Sequence, residues 1–151
     1  MFEPKFNYTA NVHECAVQIN LPHEDFPDRV SATEEVINDF ISAFEEGRID
    51  AIRLDHCRYI HSVIMADCWH AGSYKSLPNM VNGQGTALPA LVPSLLHDIF
   101  PVTTTTELEI WYKEFEEIHA FVDGNGRVGA SIIAIISYVR SNGKQILCPC
   151  Q

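Results

Sequence analysis

Apolar side chains return every three or four positions along several stretches of the chain, and each stretch closes on a turn signal. Val36, Ile37, Phe40, Ile41 and Phe44 share one face of a helix expected over 32–46. Ser31 and Glu34 have the spacing of a capping box at its start, and Gly47 offers a left-handed stop at its end. A second helix is expected from an N-cap at Asp50 to about Trp69, with Ile52, Cys57, Ile60, Ile64 and Cys68 on its buried side. Between 72 and 90, Met80 and Val81 stand among Gly72, Pro78, Gly83, Gly85 and Pro89, the pattern of a loop or a weak hairpin. Pro93 suits the first turn of a short helix to about Ile99. The run Thr103 to Thr106 then offers caps for a helix whose Leu108, Trp111, Phe115 and Ile118 recur at helical spacing. From Arg127 to Ser141 nearly every face is apolar, so this last helix belongs at the centre of a bundle, with Gly143 as its terminator.

The fold expected is therefore mainly α: five or six helices around a central apolar helix, with a small β-hairpin. Residues 1–30, interrupted by Pro4, Pro22 and Pro27, read as an irregular N-terminal arm, and residues 31–151 as a single domain. Composition agrees, since 151 residues with 46% hydrophobic and 20% charged side chains suffice for one core and exclude a disordered chain.

Charge narrows the function more than composition does. A formal net charge of -10 repels phosphate backbones and anionic lipid, so neither nucleic acid nor a membrane is expected as a partner. Any phosphate-bearing ligand needs a local positive site strong enough to overcome that field. The odd count of five cysteines and the polar opening from Met1 to Asn11 point to reduced thiols in the cytoplasm. No apolar run reaches the length of a membrane span, and the terminal Cys148-Pro149-Cys150-Gln151 lacks the aliphatic pair that prenylation requires.

The local positive site is found in nine residues, His119-Ala120-Phe121-Val122-Asp123-Gly124-Asn125-Gly126-Arg127. A glycine-rich turn feeding a helix presents unpaired backbone N–H groups and the positive end of the helix dipole, which together receive an anion. Gly124 and Gly126 allow close approach, and Arg127 adds a bidentate phosphate donor. Asp123 beside such a site suits a magnesium ion shared with the phosphates. His119, at the mouth of the loop, can take a proton from an attacking hydroxyl near neutral pH. Taken singly, a histidine at a helix end is more often a cap, and Asp-Gly-Asn-Gly more often a plain turn. Together they describe phosphoryl or nucleotidyl transfer.

These nine residues resemble the signature of the Fic (filamentation induced by cAMP) proteins, His-x-Phe-x-(Asp/Glu)-Gly-Asn-Gly-Arg-x-x-Arg, with seven specified positions matching in order. Upstream, Gly72-Ser73-Tyr74-Lys75 resembles the start of the family's hairpin flap, so the likeness spans about residues 32–147. The resemblance implies a Fic-type helical bundle that transfers AMP from ATP to a Ser, Thr or Tyr hydroxyl of a target protein. It implies His119 as general base, Asp123 as the magnesium ligand, and Gly124, Asn125, Gly126 and Arg127 as the phosphate cradle. Phe121 would anchor the loop in the core. Gly72, Tyr74 and Lys75 would open a flap, running to about Gly85, that pairs with an extended target segment.

Two positions qualify that expectation. Ala130 stands where the signature has its second arginine, which removes a phosphate donor and leaves open another donor, removal of AMP, or a binding module without turnover. Ser42-Ala43-Phe44-Glu45-Glu46-Gly47 fits the family's inhibitory pattern, in which Glu46 would block the nucleotide site, although its partner arginine is the one replaced by Ala130. The sequence leaves the target and any homo-oligomer open.

Overall fold

In the computed structural model the described residues are 26–147 apart from Asn82, with side chains described from Ser31 onward. The order is α1 (Phe26–Glu45), α2 (Leu54–Ile64), a two-stranded antiparallel hairpin of β1 (Met80–Val81) and β2 (Gln84–Gly85), α3 (Val92–Ile99), α4 (Leu108–Ile118) and α5 (Asn125–Arg140). In the hairpin Met80 faces Gly85 and Val81 faces Gln84. The mainly helical fold with one small hairpin is the one the apolar spacing predicts.

The all-round apolar helix is central. In α5, Val128, Ile132, Ile135 and Ile136 are wholly buried, and α1, α2 and α4 pack around it. Glycine sets how close α4 comes: a Cβ on Gly129 would lie 2.8 Å from the Tyr112 ring and 3.2 Å from that of Phe115. The helix ends in left-handed residues, with Asn142 at φ 53° and Gly143 at φ 81°, as its terminator predicts.

Several boundaries differ from expectation for local reasons. Helix α1 starts at Phe26, so the boundary expected at residue 30 falls within it and Ser31 is no cap. Pro27 sits in the first turn, where a missing N–H costs nothing; the rest of the expected arm lies outside the described residues. Helix α2 is capped by Arg53 rather than Asp50, because Ile52 first pairs with Val102 in an isolated bridge (2.8 and 2.9 Å). It also stops at Ile64, and Trp69, where the helix was expected to end, is 86% exposed in the turns that follow. The threonines cap no helix either. Thr103 N–H donates to Thr106 Oγ1 (2.9 Å), closing a turn, and Glu107 is the N-cap of α4. Finally α5 begins at Asn125 rather than Arg127.

Candidate active site

The loop between α4 and α5 is turned sharply at both ends. His119 caps α4 in the left-handed region (φ 50°, ψ 60°), a position more often given to glycine. Gly124 opens α5 at φ 84°, and a Cβ there would meet Met65 Sδ at 2.9 Å, so glycine is required on two counts. The first bond of α5 runs from Val128 N–H to Gly124 O (3.0 Å). The N–H groups of Asn125 and Gly126 precede it and have no acceptor within the helix, which keeps the positive end of α5 open to an anion.

The loop is pinned from inside. Asn125, 3% exposed, accepts from Phe121 N–H and donates to Phe121 O, both at 2.9 Å. Its side-chain amide therefore braces the loop, which leaves its backbone N–H as the group facing out of the first turn of α5. Phe121 is fully buried, as expected of an anchor. Asp123 is exposed; its Oδ1 accepts from Gly124 N–H (2.8 Å). Arg127 is only 6% exposed, with Nη1 3.2 Å from Met65 Sδ.

A residue outside the nine-residue segment ties these parts together. His61, wholly buried on α2, accepts from Gly72 N–H at Nδ1 (2.9 Å). A backbone N–H can only donate, so the ring hydrogen lies on Nε2, which donates to Asp123 O (2.9 Å). The ring also stacks on Phe121, 3.9 Å between centroids and 9° between planes. Burial and the loss of water push its pKa down to about 4, so it is neutral at pH 7. The signal in the sequence was a histidine on the apolar face with Cys57, Ile60 and Ile64; its partners lie 11 and 62 residues away and no spacing reveals them.

The residues expected to form the flap are instead its foundation. Gly72 is held by His61 and by Arg58 Nε, which donates to Gly72 O (3.0 Å). Tyr74 leans on Phe121 and under the Arg58 guanidinium, 5.1 Å from the ring centroid. Lys75 is 4% exposed, and its Nζ donates to Asn79 Oδ1 (2.7 Å), Thr86 Oγ1 (2.9 Å) and Ile118 O (3.3 Å). Its own N–H donates to Ala120 O (2.8 Å), so the hairpin's foot is laced to the loop on both sides of His119. Glu46 stays out of this group: its carboxylate pairs with Arg48 (2.7 Å) at the surface. Ala130, 7% exposed, is a buried methyl on the inner side of α5.

His119 is half-buried between Lys75 and Asp123. Burial lowers its pKa first, the Lys75 ammonium lowers it further, and Asp123 opposes both. Lys75→Met is therefore expected to raise the His119 midpoint toward the ordinary value of 6.5 without reaching it, because burial remains. An NMR titration of the imidazole resonances reads this; an unchanged midpoint would remove Lys75 from the control of His119.

No group of three or more His, Cys, Asp or Glu side chains converges among the described residues. A divalent cation held by protein alone is not what this donor set fits; a magnesium ion arriving with phosphates, which takes one carboxylate and completes its shell with phosphate and water oxygens, fits Asp123. Cys57, one of two described free thiols, is pushed up to about 12 by burial and is unreactive.

The fold is a helical bundle that presents an open helix N-terminus through a braced, glycine-punctuated loop. The model of the Fic/DOC family matches residues 51–137, and the chain belongs to that family, whose members are in general transferases. The structure is similar to a crystal structure of a Fic domain containing signaling protein from Bacteroides thetaiotaomicron VPI-5482, with a TM-score of 0.64 at 19% identity. The match covers 80% of this chain and 50% of that one, so the chain corresponds to about half of its structural relative. No curated protein matches in sequence. No described helix is long and apolar enough to cross a membrane.

Proposed function

We propose that the chain transfers AMP from a magnesium-bound ATP to a Ser, Thr or Tyr hydroxyl of a target protein in the cytoplasm. The observation that carries this reading is the open N-terminus of α5 directly beside a half-buried histidine, within one braced loop.

In this mechanism a target hydroxyl lies against His119, whose imidazole nitrogen accepts its proton as the oxygen attacks the α-phosphorus. The bond from that phosphorus to the bridging oxygen breaks and pyrophosphate leaves. The backbone N–H groups of Asn125 and Gly126 meet the charge on the phosphates without reorganising, since Asn125 and His61 already hold the loop. Asp123 would hold magnesium, which neutralises phosphate charge when bound. The short hairpin offers backbone groups to an extended target segment.

Ala130 favours a second reading, in which the donor carries a different phosphate-containing group, because no cation stands one turn past Arg127 to grip a terminal phosphate. Incubation with α-labelled ATP and magnesium, with intact mass of the chain and of lysate proteins, tests both. A gain of one AMP that is lost with Asp123→Asn supports transfer from ATP. No gain with ATP but a gain from another nucleotide supports the second reading, and no gain from any nucleotide would sink both.

A further inference from the structure

A groove of about 390 Å³ runs beside the candidate site, between α3, α4 and the segment that leaves the hairpin. Leu95, Ile99 and Ile118 give it an apolar floor, and Asp98, Glu114 and Glu117 stand exposed along it. No lysine or arginine lines it; Lys113, the nearest cation in sequence, is exposed on α4 outside the lining.

Two features connect this groove to the chemistry. Ile118 is the residue before His119, and its carbonyl takes the Lys75 ammonium that anchors the hairpin. Ala87, two residues past β2, lies in the wall, and Leu88 and Leu91, 58% and 50% exposed, follow it toward α3. Leu77 and Met80, at and just before the hairpin, are also exposed, at 75% and 67%. Exposed apolar side chains flanking an apolar groove in this way favour docking of a partner.

The geometry points to this groove as the docking site for the part of the target flanking the modified hydroxyl, a segment with an apolar side chain between lysines or arginines. Charge complementarity selects that occupant. Three carboxylates around an apolar floor attract cationic flanks and repel acidic ones. The chain's own residues outside the described part do not fit: residues 1–25 hold one lysine against four Asp and Glu, and residues 148–151 hold no charge. Ile118, in the groove floor, is the neighbour of His119 in the chain, and an extended target advances ~3.3 Å per residue past that point. The inference deepens the transfer reading by naming the partner's chemistry, and it is tested without turnover.

The probe is a short fluorescein-labelled peptide with two leucines between lysines, read by anisotropy, and its counterpart with glutamates for the lysines. The comparison is between the intact chain, a groove variant (Asp98→Asn, Glu114→Gln, Glu117→Gln) and a control neutralising three exposed carboxylates elsewhere (Glu35→Gln, Asp39→Asn, Glu109→Gln). The lysine peptide is expected to bind the intact chain and to lose roughly tenfold in affinity with the groove variant, against a change of less than about twofold with the control. Equal losses in the two variants would reduce the attraction to the overall field of the chain and overturn the proposal. So would binding of the glutamate peptide, or no binding of the lysine peptide. Nucleotide transfer, scored separately with labelled ATP, separates the two ideas: docking without transfer sinks the enzyme reading alone, and transfer without docking sinks the groove alone.

Discussion

His119→Ala is expected to lower the rate of group transfer by roughly 10²- to 10⁴-fold, the range that a positioned general base contributes. Folding should be nearly unaffected. His119 is only half-buried, caps the C-terminus of α4, and its backbone N–H bond to Phe115 O (3.3 Å) does not depend on the side chain. Alanine is less at ease than histidine in the left-handed region, a cost of about 1 kcal/mol, so the melting temperature should fall by only a few degrees. His119→Asn separates the two contributions. Asparagine tolerates the left-handed cap but takes no proton at neutral pH, and it should restore the melting temperature without restoring transfer. Nucleotide binding, read by calorimetry, should survive in both variants, because the proposed phosphate contacts are the backbone N–H groups of Asn125 and Gly126 and not the His119 side chain. Transfer within a few fold of the unmodified chain would rule out His119 as the base.

The pH profile follows from the same surroundings. Burial and Lys75 hold the His119 pKa below its ordinary value, so the neutral, proton-accepting ring persists to lower pH than a free histidine would allow. The acid limb of transfer should therefore lie below pH 6.5, and Lys75→Met should move it upward.

The nine-residue segment was legible because its chemistry is local: a turn, a helix start, a carboxylate and a histidine follow one another in the chain. The central helix was legible for a similar reason, since a run apolar on every face admits one location. Boundaries failed where one signal has two meanings. Pro27 breaks a helix interior but begins a helix equally well, and Asp50 is a good cap that loses to the pairing of Ile52 with Val102. The supports of the site were not legible at all. Lys75 was expected on the flap as a charged side chain, yet it is buried under three acceptors contributed by Asn79, Thr86 and Ile118. Asn125 was expected at the phosphates, yet its amide closes on Phe121 four residues back. Such partners are chosen by tertiary packing, which periodicity does not encode.

His61→Phe is expected to cost about 3 kcal/mol at pH 7, and the cost should nearly vanish by about pH 4. The phenyl ring keeps the stack on Phe121 and most of the packing volume, but it leaves Gly72 N–H and Asp123 O without their bonds, each worth about 1 to 3 kcal/mol when buried. The pH dependence comes from the folded histidine's depressed pKa of about 4 against 6.5 unfolded. Between those values the unfolded chain binds more protons than the folded one, so stability rises with pH. The contribution is complete above pH 6.5 and is lost as pH falls through 6.5 toward 4, on the order of 3 kcal/mol at 1.36 kcal/mol per unit. Below about pH 4 the protonated ring has lost its acceptor at Nδ1, and the native histidine holds the flap's foot no better than phenylalanine does. Urea denaturation of both chains at pH 7 and pH 4.5 measures the gap, and the subtraction removes the other titrating groups, including the raised Glu116 and the lowered His119, which the two chains share. The His70 ring, 5.7 Å from that of His61, is one of the causes of that depressed value, after burial. A gap that stays constant with pH would mean that His61 does not bridge Gly72 and Asp123 as a neutral ring. A gap that closes on acidification makes one buried imidazole the joint between Gly72, at the foot of the hairpin, and Asp123, in the loop before α5.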